Sequence, residues 1–193
     1  MRPCVVAVST ISKVPVSSAA LPNTASISNG LRAWPWYVLA IAVIGLDQYT
    51  KALATATLHY GQPLPVWSWF NLTLQHNTGA AFSFLSDAGG WQRYFFTAIA
   101  WVVSSVLVVW IYRLPRGHNL LALSLALILG GAIGNVWDRM MLGYVVDFIS
   151  VHYQNSYFPA FNLADAAISA GAVGMVLDSF RVRSPADEQV IKE

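Results

Sequence analysis

Two aspartates, Asp147 and Asp165, stand eighteen residues apart in apolar segments, Gly143-Tyr144-Val145-Val146-Asp147-Phe148 and Phe161-Asn162-Leu163-Ala164-Asp165. A carboxylate in such surroundings is costly unless it has a task or a partner. Two carboxylates brought face to face cannot both ionise cheaply, so they hold one proton between them. A pair in that state activates water, the chemistry of an aspartic hydrolase. The interval lets Asp147 end a hairpin connection and Asp165 open the helix that returns.

Other polar residues fall where they would support such a pair. Asp47 and Lys51 are four apart, so they share one face of a helix. They read as an intrahelical ion pair or as support for a site. His76-Asn77-Thr78-Gly79 reads as a turn, or as a device in which Asn77 and the backbone amides near Gly79 hold an extended peptide. Asn135 and Asp138 are three apart, and Arg139 follows. They form a helix-end network in which Arg139 neutralises Asp138, and the network orients the reacting groups. Asn162 and Asp165 repeat the three-residue spacing, with Asp165 in a first helical turn where the dipole favours an anion. A capping role accounts for Asp165 but not for Asp147. Asp178 lies three residues before Arg181, and a surface ion pair accounts for it.

Several alternative chemistries lack their residues. His59, His76, His118 and His152 have no metal-ligand spacing and no His-Glu-x-x-His motif exists, so neither metal nor cofactor is expected. There is no Gly-x-Ser-x-Gly elbow, and Ser150 and Ser169 have no basic partner in sequence. The single Cys4 excludes an internal disulfide and a cysteine-based metal cage.

The elements that must position these groups are set by composition. Of 193 residues, 56% are hydrophobic and 10% charged, against about 25% charged in soluble domains. With a mean hydropathy of +0.52, this describes an integral membrane protein. A net charge of +2 without a basic stripe argues against a nucleic-acid partner. Four runs approach the roughly 20 apolar residues that cross a bilayer: 34–54, 91–112, 120–137 and 161–180. Arg2, Lys13, Arg32, Arg113, Arg116, Arg181, Arg183 and Lys192 fall on one side of a four-span chain, and Lys51, Arg93 and Arg139 on the other. The positive-inside rule then makes both termini cytoplasmic and puts Asp147 and Asp165 at the outer face.

Residues 1–33 lack a helical period and read as a disordered tail, and 181–193 as a cytoplasmic tail. The connection 55–90 is too long for a plain turn. In it Phe70, Leu72 and Leu74 alternate with Asn71, Thr73 and Gln75, a strand-like period of two. The expected fold is therefore an integral membrane all-α bundle of four transmembrane helices. A small amphipathic β-like domain between helices 1 and 2 lies on the outer surface, with Ala80 to Leu85 as an apolar lip. Gly130, Gly131, Gly134, Ala170 and Gly174 mark close helix packing.

These blocks in order resemble the lipoprotein signal peptidase family, signal peptidase II. The match runs from about Trp34 to Phe180. It includes Asp47-Gln48-Tyr49-Thr50-Lys51, Asn77-Thr78-Gly79-Ala80-Ala81-Phe82-Ser83-Phe84, Gly130-Gly131-Ala132-Ile133-Gly134-Asn135, Asp138-Arg139, Gly143 to Phe148, and Phe161 to Asp165. The resemblance implies a bacterial inner-membrane aspartyl endopeptidase. It would cut signal peptides from diacylglyceryl-modified prolipoproteins, before the lipidated cysteine. It implies Asp147 and Asp165 as the catalytic pair, with Asp47, Lys51, Asn77, Gly79, Asn135, Asp138, Arg139 and Asn162 supporting it. It also implies a pocket for globomycin-type inhibitors, a membrane-lipid environment and a monomeric unit.

Two other readings use the same residues. A small transporter would use Asp47, Asp147 and Asp165 as a proton relay, but would place acids near mid-bilayer and often show internal repeats. A non-catalytic assembly factor would use the carboxylates as interhelical glue.

Overall fold

The computed structural model describes residues 25–79 and 91–181. Four helices and a small sheet follow in the order α1 (Ala25–Thr57), β1 (Leu64–Trp67), β2 (Phe70–Asn77), α2 (Trp91–Arg113), α3 (Asn119–Met141), β3 (Val145–Tyr153), β4 (Ser156–Tyr157) and α4 (Leu163–Ser179). The tail expected for 1–33 is helical from Ala25 on, and the rest of it lies outside the described residues. So do the Ala80–Leu85 lip and most of the expected C-terminal tail.

The polarity of the bundle is inverted relative to a water-soluble protein. Val38, Ile41, Leu46 and Leu53 of α1 and Phe95, Ile99, Val102, Val106 and Val109 of α2 are exposed, while Asp47, Lys51, Asn135 and Asp138 are buried. Apolar side chains on the outside and hydrogen-bonded polar groups within are what a bilayer solvent demands. Among the described residues three helices are long and apolar enough to cross it: Ala33–Thr57, Arg93–Arg113 and Asn119–Met141. The fourth expected span is shorter than anticipated. α4 has 17 residues, about 26 Å at 1.5 Å per residue, against about 30 Å of hydrocarbon.

α3 is the central helix, packed by α1, α2 and α4. At one end the interior is apolar, built from Ala33, Ala40, Leu107, Ile111, Leu125 and Leu129. Tyr37 ties α1 to α2 there by donating to the Val108 carbonyl at 2.9 Å. α4 lies antiparallel on α3, with Gly131 of α3 against Ala164 and Gly171 of α4 against Ser124 and Ile128. These are the close approaches that the small residues allow.

A methyl group at Gly131 would meet the Ala164 carbonyl oxygen and Ile168 Cγ1, the latter at 2.8 Å. The obstacle is α4's own first turn, so Gly131→Ala should destabilise by about 1–3 kcal/mol. Gly45 has nothing within 4 Å of its virtual Cβ, so Gly45→Ala should leave the apparent melting temperature in detergent unchanged. Equal behaviour of the two variants would refute this account of the α3–α4 contact.

The sheet is antiparallel, four-stranded and ordered β1-β2-β3-β4. The alternation over 70–75 is borne out as β2, with Asn71, Thr73 and Leu74 buried. The expectation that residues 55–90 form this domain alone is corrected: β3 and β4 come from between α3 and α4. The run Val145-Val146-Asp147-Phe148-Ile149 does not alternate in polarity because Val145, Val146 and Asp147 are all buried. The period of two is therefore missing from the sequence. Asp147 lies within this strand, not at the end of a plain connection.

Candidate active site

The site is assembled where the ends of α1 and α3, the start of α4 and strand β3 converge. Gly143, at φ 88°, turns the chain from α3 into β3. That sends Val146 back past α3, where its N–H donates to Asp138 Oδ2 at 3.1 Å. β2 pairs with β3 so that Gln75 faces Asp147 and Asn77 faces Val145. Asn77 is thus the diagonal neighbour of Asp147 on one face, and its side chain hydrogen-bonds the Asp147 carboxylate. Asn77 Oδ1 accepts from the Gly79 N–H at 2.8 Å. Gly79 has φ 103°, and a Cβ there would lie 2.8 Å from the Phe96 ring. Only glycine satisfies both conditions.

Asn162 is fully buried and joins the two aspartates. Its Nδ2 lies 2.7 Å from Asp147 Oδ1, 3.1 Å from Asn135 Oδ1 and 3.3 Å from the Val146 carbonyl. Its Oδ1 accepts from the Asp165 N–H at 3.0 Å, and its own N–H donates to Asp165 Oδ2 at 3.3 Å. This reciprocal capping box starts α4, so the device that begins the helix also fixes Asp165. Asn135 Nδ2 donates to Asp165 Oδ1 at 2.8 Å. Asp147 is 2% exposed, whereas Asp165 is only partly buried. Burial, reinforced by the neighbouring Asp165 carboxylate, pushes Asp147 up to about 7. The hydrogen bonds from Asn77 and Asn162 and the Lys51 charge act in the opposite direction.

Beneath the pair lies a compact charge cluster. Lys51 Nζ is 2.7 Å from Asp47 Oδ2, 2.9 Å from Asp138 Oδ2 and 2.9 Å from Asn135 Oδ1. Three acceptors satisfy its three donors. Asp47 Oδ1 accepts from the Ala164 N–H at 2.9 Å, which joins α1 to the start of α4. Asp47 and Lys51 do form the expected pair on α1, but it is fully buried and extends to α3.

Two expectations need correction. Asp138 is ion-paired with Lys51, and Arg139, whose charge also interacts with Asp138 after Asp165 and Asp147, is not its only cation. Successive residues on a helix point about 100° apart, and the Arg139 guanidinium lies over the Phe96 ring at 5.9 Å. Asp178 is 6% exposed, so it is an interior group and not a surface one. Asn162, Asn135, Lys51, Asp138, Asp47, Asn77 and Gly79 are all brought together around Asp147 and Asp165. Arg139 adjoins them, its charge acting on Asp165 and Asp147.

Gln48 was missed as a site group. Its Nε2 reaches Asp138 Oδ1 at 2.8 Å, the Gly134 carbonyl at 3.2 Å and Asp47 Oδ2 at 3.3 Å. Its place directly after Asp47 gave no signal, because adjacent helical residues do not normally share a face. Among the described residues no group of three or more His, Cys, Asp or Glu is arranged to hold a metal ion.

A membrane bundle that keeps its charges inside, and gathers them under a pair of coupled carboxylates, defines an integral membrane enzyme. The family model described as Signal peptidase (SPase) II matches residues 39–181. The chain is 51% identical over 164 residues to a lipoprotein signal peptidase of Acinetobacter baumannii ATCC 17978, covering 83% of this chain and 93% of that one. It is 57% identical over 149 residues to the lipoprotein signal peptidase of Pseudomonas aeruginosa UCBPP-PA14, covering 76% and 88%. A bacterial membrane enzyme solved by the in meso method at 1.9 Å superposes with a TM-score of 0.67 and 28% identity, covering 77% of this chain and 94% of that one. The chain belongs to the signal peptidase II family and is a membrane protease.

Proposed function

We propose that this protease removes the signal peptide from diacylglyceryl-modified prolipoproteins, cutting on the N-terminal side of the lipidated cysteine with water activated by Asp147 and Asp165. The observation that carries the reading is the bridge made by Asn162, whose side-chain amide holds the Asp147 carboxylate and whose backbone N–H holds that of Asp165. Asp147, buried and pushed up to about 7, holds the proton of the pair. Asp165, in the first turn of α4 with donors from Asn135 and the Asn162 N–H, is the base. It takes a proton from water, and the oxygen attacks the scissile carbonyl while Asp147 hydrogen-bonds the developing oxyanion. The Asp147 proton then passes to the departing amine. Arg139 offsets the charge of the pair, and the Lys51 cluster holds Asn135 in register. The cut needs an extended peptide, and Asn77 with the Gly79 turn is positioned beside Asp147 to hold one. Globomycin-type inhibitors would occupy the same place.

In this reading α4 is a fourth, short crossing. Its antiparallel course along α3 and the exposed Val173, Val176, Leu177 and Phe180 support it. Both termini are then cytoplasmic, the site faces the periplasm of a bacterial inner membrane, and the monomer is the working unit.

The test is cleavage of a diacylglyceryl-modified prolipoprotein by purified protein across pH. Asp147 must keep its proton, and its ordinary value of 3.8 is raised to about 7. Activity should therefore fall as pH rises through about 7, roughly tenfold per unit above it. A rate flat to pH 9 would remove Asp147 as the acid. No cleavage of a substrate that another signal peptidase II does cut would reject the function and revive the proton-relay reading.

A further inference from the structure

The first two turns of α2 carry no group that the proposed chemistry uses, yet they touch three of the segments that build the site. Phe96 packs against Gly79 and lies under the Arg139 guanidinium. Arg93, three residues earlier and so on the same side of the helix, reaches the link between α3 and β3. Its Nη2 donates to the Met140 carbonyl at 2.9 Å. Its Nη1 lies 3.2 Å from where a Cβ would stand on Gly143, the residue whose φ of 88° turns the chain into β3. The Tyr94 ring flanks the guanidinium at 5.7 Å.

Arg93 stands against the rule for its own helix. It is the third residue of α2, where the helix dipole disfavours a cation. It serves α3 instead. The last carbonyls of a helix lack partners within it, and a cation suits that negative end. Arg139, the basic residue in the last turn of α3, is engaged over Phe96 and with Asp165 and Asp147. The cation that serves the Met140 carbonyl therefore comes from α2.

We propose that Arg93 is a positioning residue: by capping α3 and backing the Gly143 turn, it fixes the point from which β3 departs and so the place of Asp147. Two other pins hold this turn. The Asp138 carbonyl accepts from the Leu142 and Gly143 N–H groups at 2.7 and 3.3 Å, and Asp138 Oδ2 accepts from the Val146 N–H. Both belong to α3 and move with it, whereas Arg93 ties the turn to α2. The charges that face Asp147 are Asp165 of α4, Lys51 of α1 and Arg139 of α3. Arg93 is not among them, so it acts through the turn. Misplacing a reacting group by about 1 Å costs on the order of 10²-fold in rate.

The effect on rate rests on the proposed role of Asp147, while the effect on the turn does not, and the experiment reads both. Arg93→Met, Arg93→Lys and Tyr37→Phe are compared with wild type in cleavage of diacylglyceryl-modified prolipoprotein across pH, and in amide hydrogen exchange over residues 142–150. Tyr37→Phe removes the α1–α2 tie at the opposite end of the bundle, so it reports a loss of packing alone. Arg93→Met should lower kcat by about tenfold or more and leave KM within about twofold, because Arg93 acts through the turn and not on the substrate. Water reaching Asp147 relieves the burial that raises it, so the alkaline limb should move to lower pH by about half a unit or more. Exchange over 142–150 should quicken by about fivefold or more while α4 keeps its rate. Arg93→Lys, which keeps one donor for the Met140 carbonyl, should recover part of each loss. If Arg93→Met melts lower but keeps the wild-type limb and exchange, as Tyr37→Phe should, the inference is overturned and Arg93 is a packing residue. A wild type without an alkaline limb rejects the dyad instead, and the exchange then decides for Arg93 by itself.

Discussion

Asp147→Asn and Asp165→Asn should each reduce cleavage by at least about 10³-fold while leaving a folded protein. In the proposed mechanism the first removes the group that donates to the oxyanion and the leaving amine, the second the base that activates water. A thousandfold loss is about 4 kcal/mol of transition-state stabilisation, within reach of paired general acid and base catalysis. The fold should survive because asparagine keeps the main hydrogen bond at each position: Oδ1 at 147 still accepts from Asn162 Nδ2, and the single amide oxygen at 165 still accepts from the Asn162 N–H in the capping box, at the expense of the bond from Asn135 Nδ2. Asp147→Asn carries a second consequence with a definite sign. Between its ordinary 3.8 and about 7, the folded chain keeps a proton that the unfolded chain has released. Folding stability is therefore full below about 3.8 and declines as pH rises to about 7, by about 1.4 kcal/mol per unit, on the order of 4 kcal/mol in all. Asparagine escapes that loss. At pH 8 the apparent melting temperature of Asp147→Asn should exceed that of wild type, and the gap should close in acid. Near-normal cleavage by either variant would end the two-aspartate mechanism. A variant that melts lower than wild type at pH 8 would show that ionised Asp147 is better solvated than its burial implies.

Lys51→Met should be the most destabilising single change in the described interior. Lys51 is 3% exposed and neutralises Asp47 and Asp138, themselves 0% and 2% exposed. Removing one partner of a buried ion pair leaves an uncompensated charge and costs about 3–5 kcal/mol. Here two carboxylates are stranded at once, and Asn135 loses the ammonium that holds its oxygen. An apparent melting temperature lower by roughly 10 °C or more follows for a chain of this size. Activity should fall too, because Asn135 positions Asp165. Adding Asp138→Asn to Lys51→Met removes one stranded charge and should recover part of the loss. A double variant no more stable than Lys51→Met would mean that the cluster acts through packing and not through charge.

The sequence by itself determined the solvent, the helices and the chemistry. An excess of apolar residues with few charges leaves only a bilayer as surroundings, and the apolar runs near 34–54, 91–112, 120–137 and 161–180 correspond to α1, α2, α3 and α4. Ionisable groups in such runs are conspicuous because each is expensive there. That is why Asp47, Lys51, Asp138, Asp147 and Asp165 could be picked out one by one. The strand at 70–77 was legible because one of its faces is polar.

Tertiary structure decided what those groups are to one another. The partner of Asp138 is Lys51, 87 residues away in sequence, and no local spacing encodes that choice. β3 escaped notice because its first three residues are all buried, which erases the alternation by which strands are read. Gln48 gained its place only when α1 met α3 across Gly134. Asn162 looks in sequence like an ordinary helix cap. It becomes the bridge between two carboxylates only because the Gly143 turn and the β2–β3 pairing return Asp147 to the start of α4. Helices and their polar content follow from local composition. A cluster of buried charges follows from which faces are pressed together, and that is settled by packing across the whole chain.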